Sequence, residues 1–389
     1  MSNKENIPKL RFKEFSGEWE EKCFGDISTI IMGQSPDSSS YNEKNIGLPL
    51  IQGNADCKNR KTRPRIYTTK ITKECQIGDI IMTVRAPVGA ISKAIHNACI
   101  GRGVCTIRPK EDGEFIYQFL IKYEDNWLNY SQGSTFTAVN SKDIRNLKIT
   151  LPQKQEQEKI ASFLSSIDKK INQLSKKDEL LQNYKKAMMQ KIFSQKLRFK
   201  KEDRSDYTKW EEKKLKEIAT FFSGGTPSST NKNYYNGDIP FIGSGKINSD
   251  NVEQFITSDA LENSSAKMVN VGDLLYALYG ATSGQVAISK IRGAINQAVL
   301  CIRSEENLAF LYFWLSFKQD NIISTYLQGG QGNLSAQIIK DLKINLPYIE
   351  EQTKIANFLS SLDTKISQNK KALEETQKFK KALLQKMLV

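Results

Sequence analysis

A chain of 389 residues with 57 Lys and Arg against 43 Asp and Glu has a formal net charge of +14, and its length suits two or three domains that each bury a core. No apolar run approaches the roughly 20 residues that span a bilayer, and "MSNKENIPKLRF" lacks the apolar core and cleavage site of a secretory signal, so a cytoplasmic protein without a membrane partner is expected. One histidine, His96, and six cysteines without a CxxC spacing argue against a His-based triad, a metal site and a disulfide framework, while a basic surface points to a polyanion.

Residues 1–150 predict a compact α+β domain. Short β-branched runs, "DIIMTV" and "VCTIR", stand beside a helical stretch that opens at "FIY" (Phe115) and closes at Gly133. "KNRKTRPR" places five basic side chains, Lys58, Arg60, Lys61, Arg63 and Arg65, in eight residues, and Pro64 discourages a helix. On a loop such a run would hold phosphates, and an arginine could also read guanine O6 and N7; a solvated charge run is the plainer alternative. Arg85 in "TVRAPVG" and Arg102 in "GRGV" lie near glycines and a proline that allow close backbone approach, although core ion pairs fit there equally well. Ser35 in "GQSP", Asn54, and Gln132, Ser134 and Thr135 in "QGSTFTAVN" complete the candidates for DNA contact in this domain.

Residues 151–196 predict one long helix. Ile160, Ile167, Leu174, Leu181 and Met188 recur every seven residues, with Phe163, Leu164, Ile171 and Tyr184 widening the stripe. Pro152 stands where a helix start tolerates proline, and Glu156 falls in the first turn, where the helix dipole favours it.

Residues 197–345 repeat the frame of the first domain with different loops. "WEEKCFGDI" at Trp19 returns as "WEEKKLKEI" at Trp210, "GQSP" at Gly33 as "GGTP" at Gly224, "LPLI" as "IPFI", "GDIIM" as "GDLLY", and "AISK" occurs at Ala90 and Ala287. Between these anchors the sequences diverge, and "GRGV" at Gly101 faces "NQAV" at Asn296. A kept frame with unlike loops suggests one scaffold presenting two binding surfaces. The second surface is polar: Thr226, Ser228, Lys232, Lys246 and Asn248 suit phosphates and base edges but are also common turn residues. Gln328, Gln331 and Asn333 in "QGGQGNLSA" form a further candidate loop.

Residues 346–389 repeat the helix. Leu151–Lys191 and Leu346–Lys386 align without a gap, 195 positions apart, with 23 identities, so the chain is an internal duplication. Ile355, Leu362, Ile366 and Leu373 continue the stripe, and Asn369 stands where the first copy has Leu174, a polar seam residue able to fix register. Each helix of about 40 residues would be about 60 Å long and needs a partner for its stripe. The other copy is the nearest one, and an approximate twofold relation would make the two antiparallel.

Signs of catalysis are missing. "FIGSGKI" fails as a phosphate loop, since Pro240 replaces its first glycine and Ile247 its Ser/Thr. There is no intact GxGxxG, no convincing carboxylate and lysine cluster for metal-dependent cleavage, and no Asn-Pro-Pro-aromatic motif of amino methyltransferases.

The layout, two variable domains each followed by a helix opening "LP...EQ.KIA.FLSS.D.KI", resembles the specificity subunit of type I restriction-modification enzymes over the whole chain. The opening "IMGQSPDSS" departs from the "SGGTPS" of the second half. That resemblance implies two target-recognition domains joined by two long antiparallel coiled-coil helices with an internal pseudo-twofold repeat. It implies that each domain reads one half of a split double-stranded DNA site and that the helices set the gap between the halves. It also implies docking of two modification subunits that methylate adenine with S-adenosylmethionine. Two restriction or translocase subunits, where the host makes them, would bring ATP and Mg, and no cofactor is expected on this chain. The alternatives are a coiled-coil architectural protein that binds nucleic acid without sequence preference, and a nuclease or methyltransferase in its own right.

Overall fold

The computed structural model of the protein describes residues 6–132, 138–327 and 333–389. Four long helices organise them: α1, Gly113–Gln132; α2, Lys154–Phe193; α3, Leu308–Tyr326; and α4, Ile349–Met387. The chain divides into two compact units, residues 1–176 with 370–389 and residues 177–369, so α2 and α4 each give part of their length to both. Among the described residues no helix is long and apolar enough to cross a membrane.

In the first unit, Ser28–Met32, Val104–Pro109, Ile80–Thr83, Ile91–Lys93, Lys61–Thr62 and Cys57–Lys58 lie side by side in one sheet. Tyr41–Asn42, Ile66–Thr68, Leu48–Ile51, Ala98–Ile100 and Glu74–Cys75 form a second. The strand Ile80–Thr83 is buried at all four positions because both its faces are covered. Ile80 and Met82 pack in one cluster with Phe115, Ile116, Phe119 and Leu120 of α1, whereas Ile81 packs in another with Ile51 and Ile100 of the second sheet. The strand's period of two thus sorts its side chains between the two layers. A two-stranded ladder, Glu20–Cys23 antiparallel to Lys148–Leu151, leads into α2.

The second unit repeats this plan with fewer strands. Thr220–Ser223, Val299–Arg303, Leu274–Ala277 and Val286–Ile288 form one sheet; Phe255–Ile256, Ile239–Ile242, Gly293–Ile295 and Lys267–Val269 form the other. Leu274 and Tyr276 face α3, and Leu275 and Ala277 face the opposite cluster. The ladder Glu211–Lys214 with Lys343–Leu346 leads into α4.

Hydrogen-bond register fixes the equivalences. The Gly89 N–H donates to Thr83 O and that of Gly284 to Ala277 O, both at 2.8 Å; likewise Ala94 N–H donates to Asp79 O and Ser289 N–H to Asp273 O. Lys93 therefore corresponds to Ile288, and the two "AISK" stretches are out of register by two residues. A shift of two keeps every side chain on its face, so the sequence alone cannot expose it.

The repeated letters at the helix starts have structural work. Arg11 makes two hydrogen bonds to the carboxylate of Glu156, at 2.8 and 2.7 Å, and Arg198 does the same to Glu351. Gln157 Nε2 donates to Pro152 O at 3.0 Å and Gln352 Nε2 to Pro347 O at 2.9 Å. These buried Glu-Gln pairs lock ladder, proline and helix together at both joints.

Within each unit the two helices pack antiparallel. In the first, Ile160, Ala161, Leu164 and Ile167 of α2 share a cluster with Leu383, Leu384 and Met387 of α4. Arg11 reaches Glu156 while the neighbouring Leu10 N–H donates to Lys386 O, so the start of α2 lies by the end of α4. In the second, Met189 and Ile192 pack with Ile355, Ala356, Leu359 and Leu362. Ile160, Ile167, Leu174, Ile355, Leu362 and Ile366 are buried, as is Asn369, but Leu181, Met188 and Leu373 are only half-buried and Tyr184 is exposed. Along α2 the buried position moves from Met188 to Met189. A straight helix drifts by about 20° per heptad, and four heptads after Ile160 the drift is roughly 80°, most of the about 100° that separates neighbouring residues.

Candidate nucleic-acid interface

Four of the residues nominated from sequence in the first unit come together. Ser35, Asn54, Arg85 and Arg102, with Gln52, Gly53, Ala86 and Gly103, line a hollow of about 250 Å3. Its floor is a tight turn between the strands Ala98–Ile100 and Val104–Pro109, closed by Val104 N–H to Gly101 O at 3.1 Å. The Arg102 N–H donates to Ser35 Oγ at 3.1 Å, and Val84 N–H donates to Gly103 O at 2.9 Å, which brings Arg85 alongside. The loops approach so closely that a Cβ on Gly103 would lie 2.0 Å from Gln52 O, and one on Gly33 2.2 Å from Gly101 O. Arg85 and Arg102 are exposed, and among the described residues neither guanidinium has a carboxylate partner. Two exposed cations over a concave polar surface suit phosphate and base-edge acceptors.

The basic run is divided in its roles. Cys57–Lys58 and Lys61–Thr62 form a hairpin whose turn residues, Asn59 and Arg60, have φ of 51° and 61°, the primed turn that matches strand twist. The Arg60 side chain turns inward: its guanidinium pairs with the Glu124 carboxylate of α1, with Nη2 at 2.9 Å, and donates to Ile91 O at 3.2 Å. Arg60 is thus spent on holding the hairpin to the domain. Arg65 Nε donates to Asp56 at 2.9 Å, and Asp56 in turn accepts from Gln52 N–H at 2.8 Å, so Arg65 braces the hollow. Lys58, Lys61 and Arg63 are exposed; Lys61 borders a larger cleft between the hairpin, α1 and the helix pair.

The second unit builds the same turn from other residues. Val299 N–H donates to Asn296 O at 3.3 Å, and Leu278 N–H donates to Ala298 O at 2.8 Å. Gln297 therefore stands at the place of Arg102, Tyr279 at that of Arg85 and Thr226 at that of Ser35. Thr226 Oγ1 donates to Gln297 Oε1 at 2.7 Å. Lys246 pairs with Glu253 at 2.8 Å where the first unit has Asp56 and Arg65, an ion pair with its charges exchanged but with both side chains exposed. Asn333 forms an isolated bridge with Tyr279, beside the turn. Ser228 hydrogen-bonds Thr230 at 2.7 Å, and Ser228, Lys232 and Asn248 are exposed. Ser134, Thr135, Gln328 and Gln331 lie outside the described residues, as does the side chain of Gln132.

Gln52, Tyr279 and Gln297 were not among the candidates read from sequence. The only signal for Gln297 was the facing of "GRGV" by "NQAV", which becomes informative once the two turns are known to coincide.

Comparisons with known proteins agree with this duplicated architecture. The family described as Type I restriction modification DNA specificity domain matches residues 16–182 and again 207–377. The type I restriction enzyme MjaIX specificity subunit of Methanocaldococcus jannaschii is 24% identical over 400 residues, covering 95% of this chain and 93% of that protein. The provisionally named MjaX specificity subunit of the same organism is 36% identical over 200 residues, so the match spans 50% of this chain and about half, 47%, of that relative. Among solved structures, the S subunit of a type-I restriction-modification system from M. genitalium shares the fold, with a TM-score of 0.67 over 98% of this chain and 99% of that one at 19% identity.

Proposed function

The chain belongs to the family of type I restriction-modification DNA specificity domains, and we propose that it is the non-catalytic subunit that gives such a complex its DNA sequence. Residues 1–150 and 197–345 act as two target-recognition domains, and each reads one half of an asymmetric, two-part site in double-stranded DNA. One observation carries this: the same turn on the same scaffold presents Arg102 beside Arg85 in one unit and Gln297 beside Tyr279 in the other. A scaffold that only gripped backbone would have no use for such a difference, because phosphate contacts position a protein and base contacts specify it. The net charge of +14 supports the shared, sequence-independent part of binding.

The helical segments 151–196 and 346–389 set the gap between the half-sites and dock two modification subunits. Adenine methylation with S-adenosylmethionine takes place on those subunits, and any ATP-driven, Mg-dependent cleavage on restriction subunits. The duplicated Leu151–Lys191 and Leu346–Lys386 offer one docking surface twice. Mapping adenine methylation across the genome of cells with and without this gene tests the proposal. Loss of a single asymmetric two-part motif is expected; an unchanged map, together with equal affinity of the purified chain for any duplex, would refute it.

A further inference from the structure

Resting on the two-reader assignment above, we infer that the second residue of one tight turn sets the base each unit prefers: Arg102 selects a guanine in one half-site and Gln297 an adenine in the other. The two positions are equivalent by register, since the Val104-to-Gly101 bond closes one turn and the Val299-to-Asn296 bond the other. Both side chains are exposed at the tip of that turn. They differ in the hydrogen-bonding pattern they can present.

Arginine carries only donors, in a fixed fork. Guanine offers two acceptors side by side in the major groove, O6 and N7, whereas adenine puts a donor, its N6 amino group, beside N7. Arg102 is steadied through its own N–H on Ser35 Oγ, and among the described residues no carboxylate pairs with its guanidinium. The neighbouring Arg85 adds a second positive charge to the same hollow and suits the phosphate beside the base. Donors and charge alike match guanine.

Gln297 presents one acceptor and one donor group. Its Oε1 accepts from Thr226 Oγ1 at 2.7 Å, and because an amide oxygen has two lone pairs, one remains for an adenine N6–H while Nε2 donates to N7. A guanine there would set O6 against the amide oxygen. Tyr279 replaces Arg85, so the second turn lacks the extra positive charge of the first. Thr226 is a positioning residue in this arrangement: its hydroxyl holds the Gln297 amide at the turn.

Selection from a randomised duplex pool by the purified full-length chain tests the assignment. The wild type should enrich a two-part motif with a guanine preferred in one half and an adenine in the other, each by roughly 5- to 150-fold over the wrong base. Arg102→Gln should turn that guanine into adenine and leave the other half intact; Gln297→Arg should do the reverse. Arg102→Lys should weaken the guanine preference without creating one for adenine. If either exchange variant selects the wild-type motif, or loses preference at its position without gaining the other base, the inference is overturned while the two-reader assignment stands. If the wild type enriches no two-part motif, that assignment fails first. Melting curves that coincide with the wild type show that each variant is folded.

Discussion

Lys380 Nζ on α4 lies 2.6 and 2.8 Å from the two carboxylate oxygens of Asp168 on α2, and the equivalent pair in the second unit, Lys185 and Asp363, is 2.5 Å apart. The duplication thus places one ion pair in each unit, with donor and acceptor exchanged between the helices. The surroundings differ. Gln118 Nε2 also donates to Asp168, at 2.7 Å, whereas in the second unit Phe313 stands in place of Gln118 and its ring lies 5.1 Å from Lys185 Nζ.

Burial makes the first pair asymmetric to mutation. Lys380 keeps 10% of its side chain exposed and Asp168 keeps 29%; burial also holds the Lys380 ammonium below the usual lysine range, with Asp168 opposing that shift. Asp168→Asn strands a buried cation and should cost about 3 kcal/mol, as one-sided removal from a buried pair does. Lys380→Met should cost less, because the orphaned carboxylate can hydrate. Asp363→Asn, at a more exposed pair, should cost about 1 kcal/mol. Urea-unfolding midpoints of the three variants check this order.

Arg60 and Arg85 should separate stability from binding. Arg60→Ala removes the tie between hairpin and α1 and should lower stability by about 1 kcal/mol with no change in the salt dependence of DNA affinity. Arg85→Ala should leave the melting temperature alone and reduce the slope of log affinity against log salt by about 1. A reduced slope for Arg60→Ala would mean that its guanidinium leaves Glu124 when DNA binds.

Much of the architecture was legible because duplication reports itself: the paired Trp19 and Trp210 openings, the buried Ile160, Ile167, Ile355 and Leu362, and the loop character of Ser35, Arg85 and Arg102 all follow from pattern. What was hidden has physical causes. Helical drift moved the seam from Met188 to Met189. The period of two concealed the displaced "AISK" register. The ion pair of Arg60 was hidden because its partner, Glu124, is 64 residues away in sequence, and Gln297 looked ordinary because a glutamine acquires meaning only from the arginine that occupies the same turn.

Gly103 and Gly224 should not tolerate a methyl group. A Cβ at Gly224 would lie 1.7 Å from Ile295 O, as one at Gly103 would lie 2.0 Å from Gln52 O. Each alanine variant must push apart two segments that meet at the turn and should cost about 1–3 kcal/mol, the usual range for overpacking. In each variant the half-site belonging to the affected unit should lose base preference while the other keeps it, as read by selection from randomised duplexes.

The cysteines should divide by reactivity. Cys23 and Cys57 are partly exposed, whereas Cys75, Cys99, Cys105 and Cys301 are buried. Burial pushes the thiols of Cys75, Cys105 and Cys301 up to about 11, 12 and 12. A thiol reagent at pH 8 should label Cys23 and Cys57 in the native chain, and all six only in denaturant. Mass mapping of the labelled peptides reads the pattern, and fast native labelling of Cys105 would contradict the packed sheet that holds it.

The most direct test of two unlike readers on one scaffold is to replace residues 1–150 with the corresponding segment of another family member and map the methylated motif in cells. One half of the motif should change, and the other half and the gap between them should stay as they were. A change in both halves would contradict this.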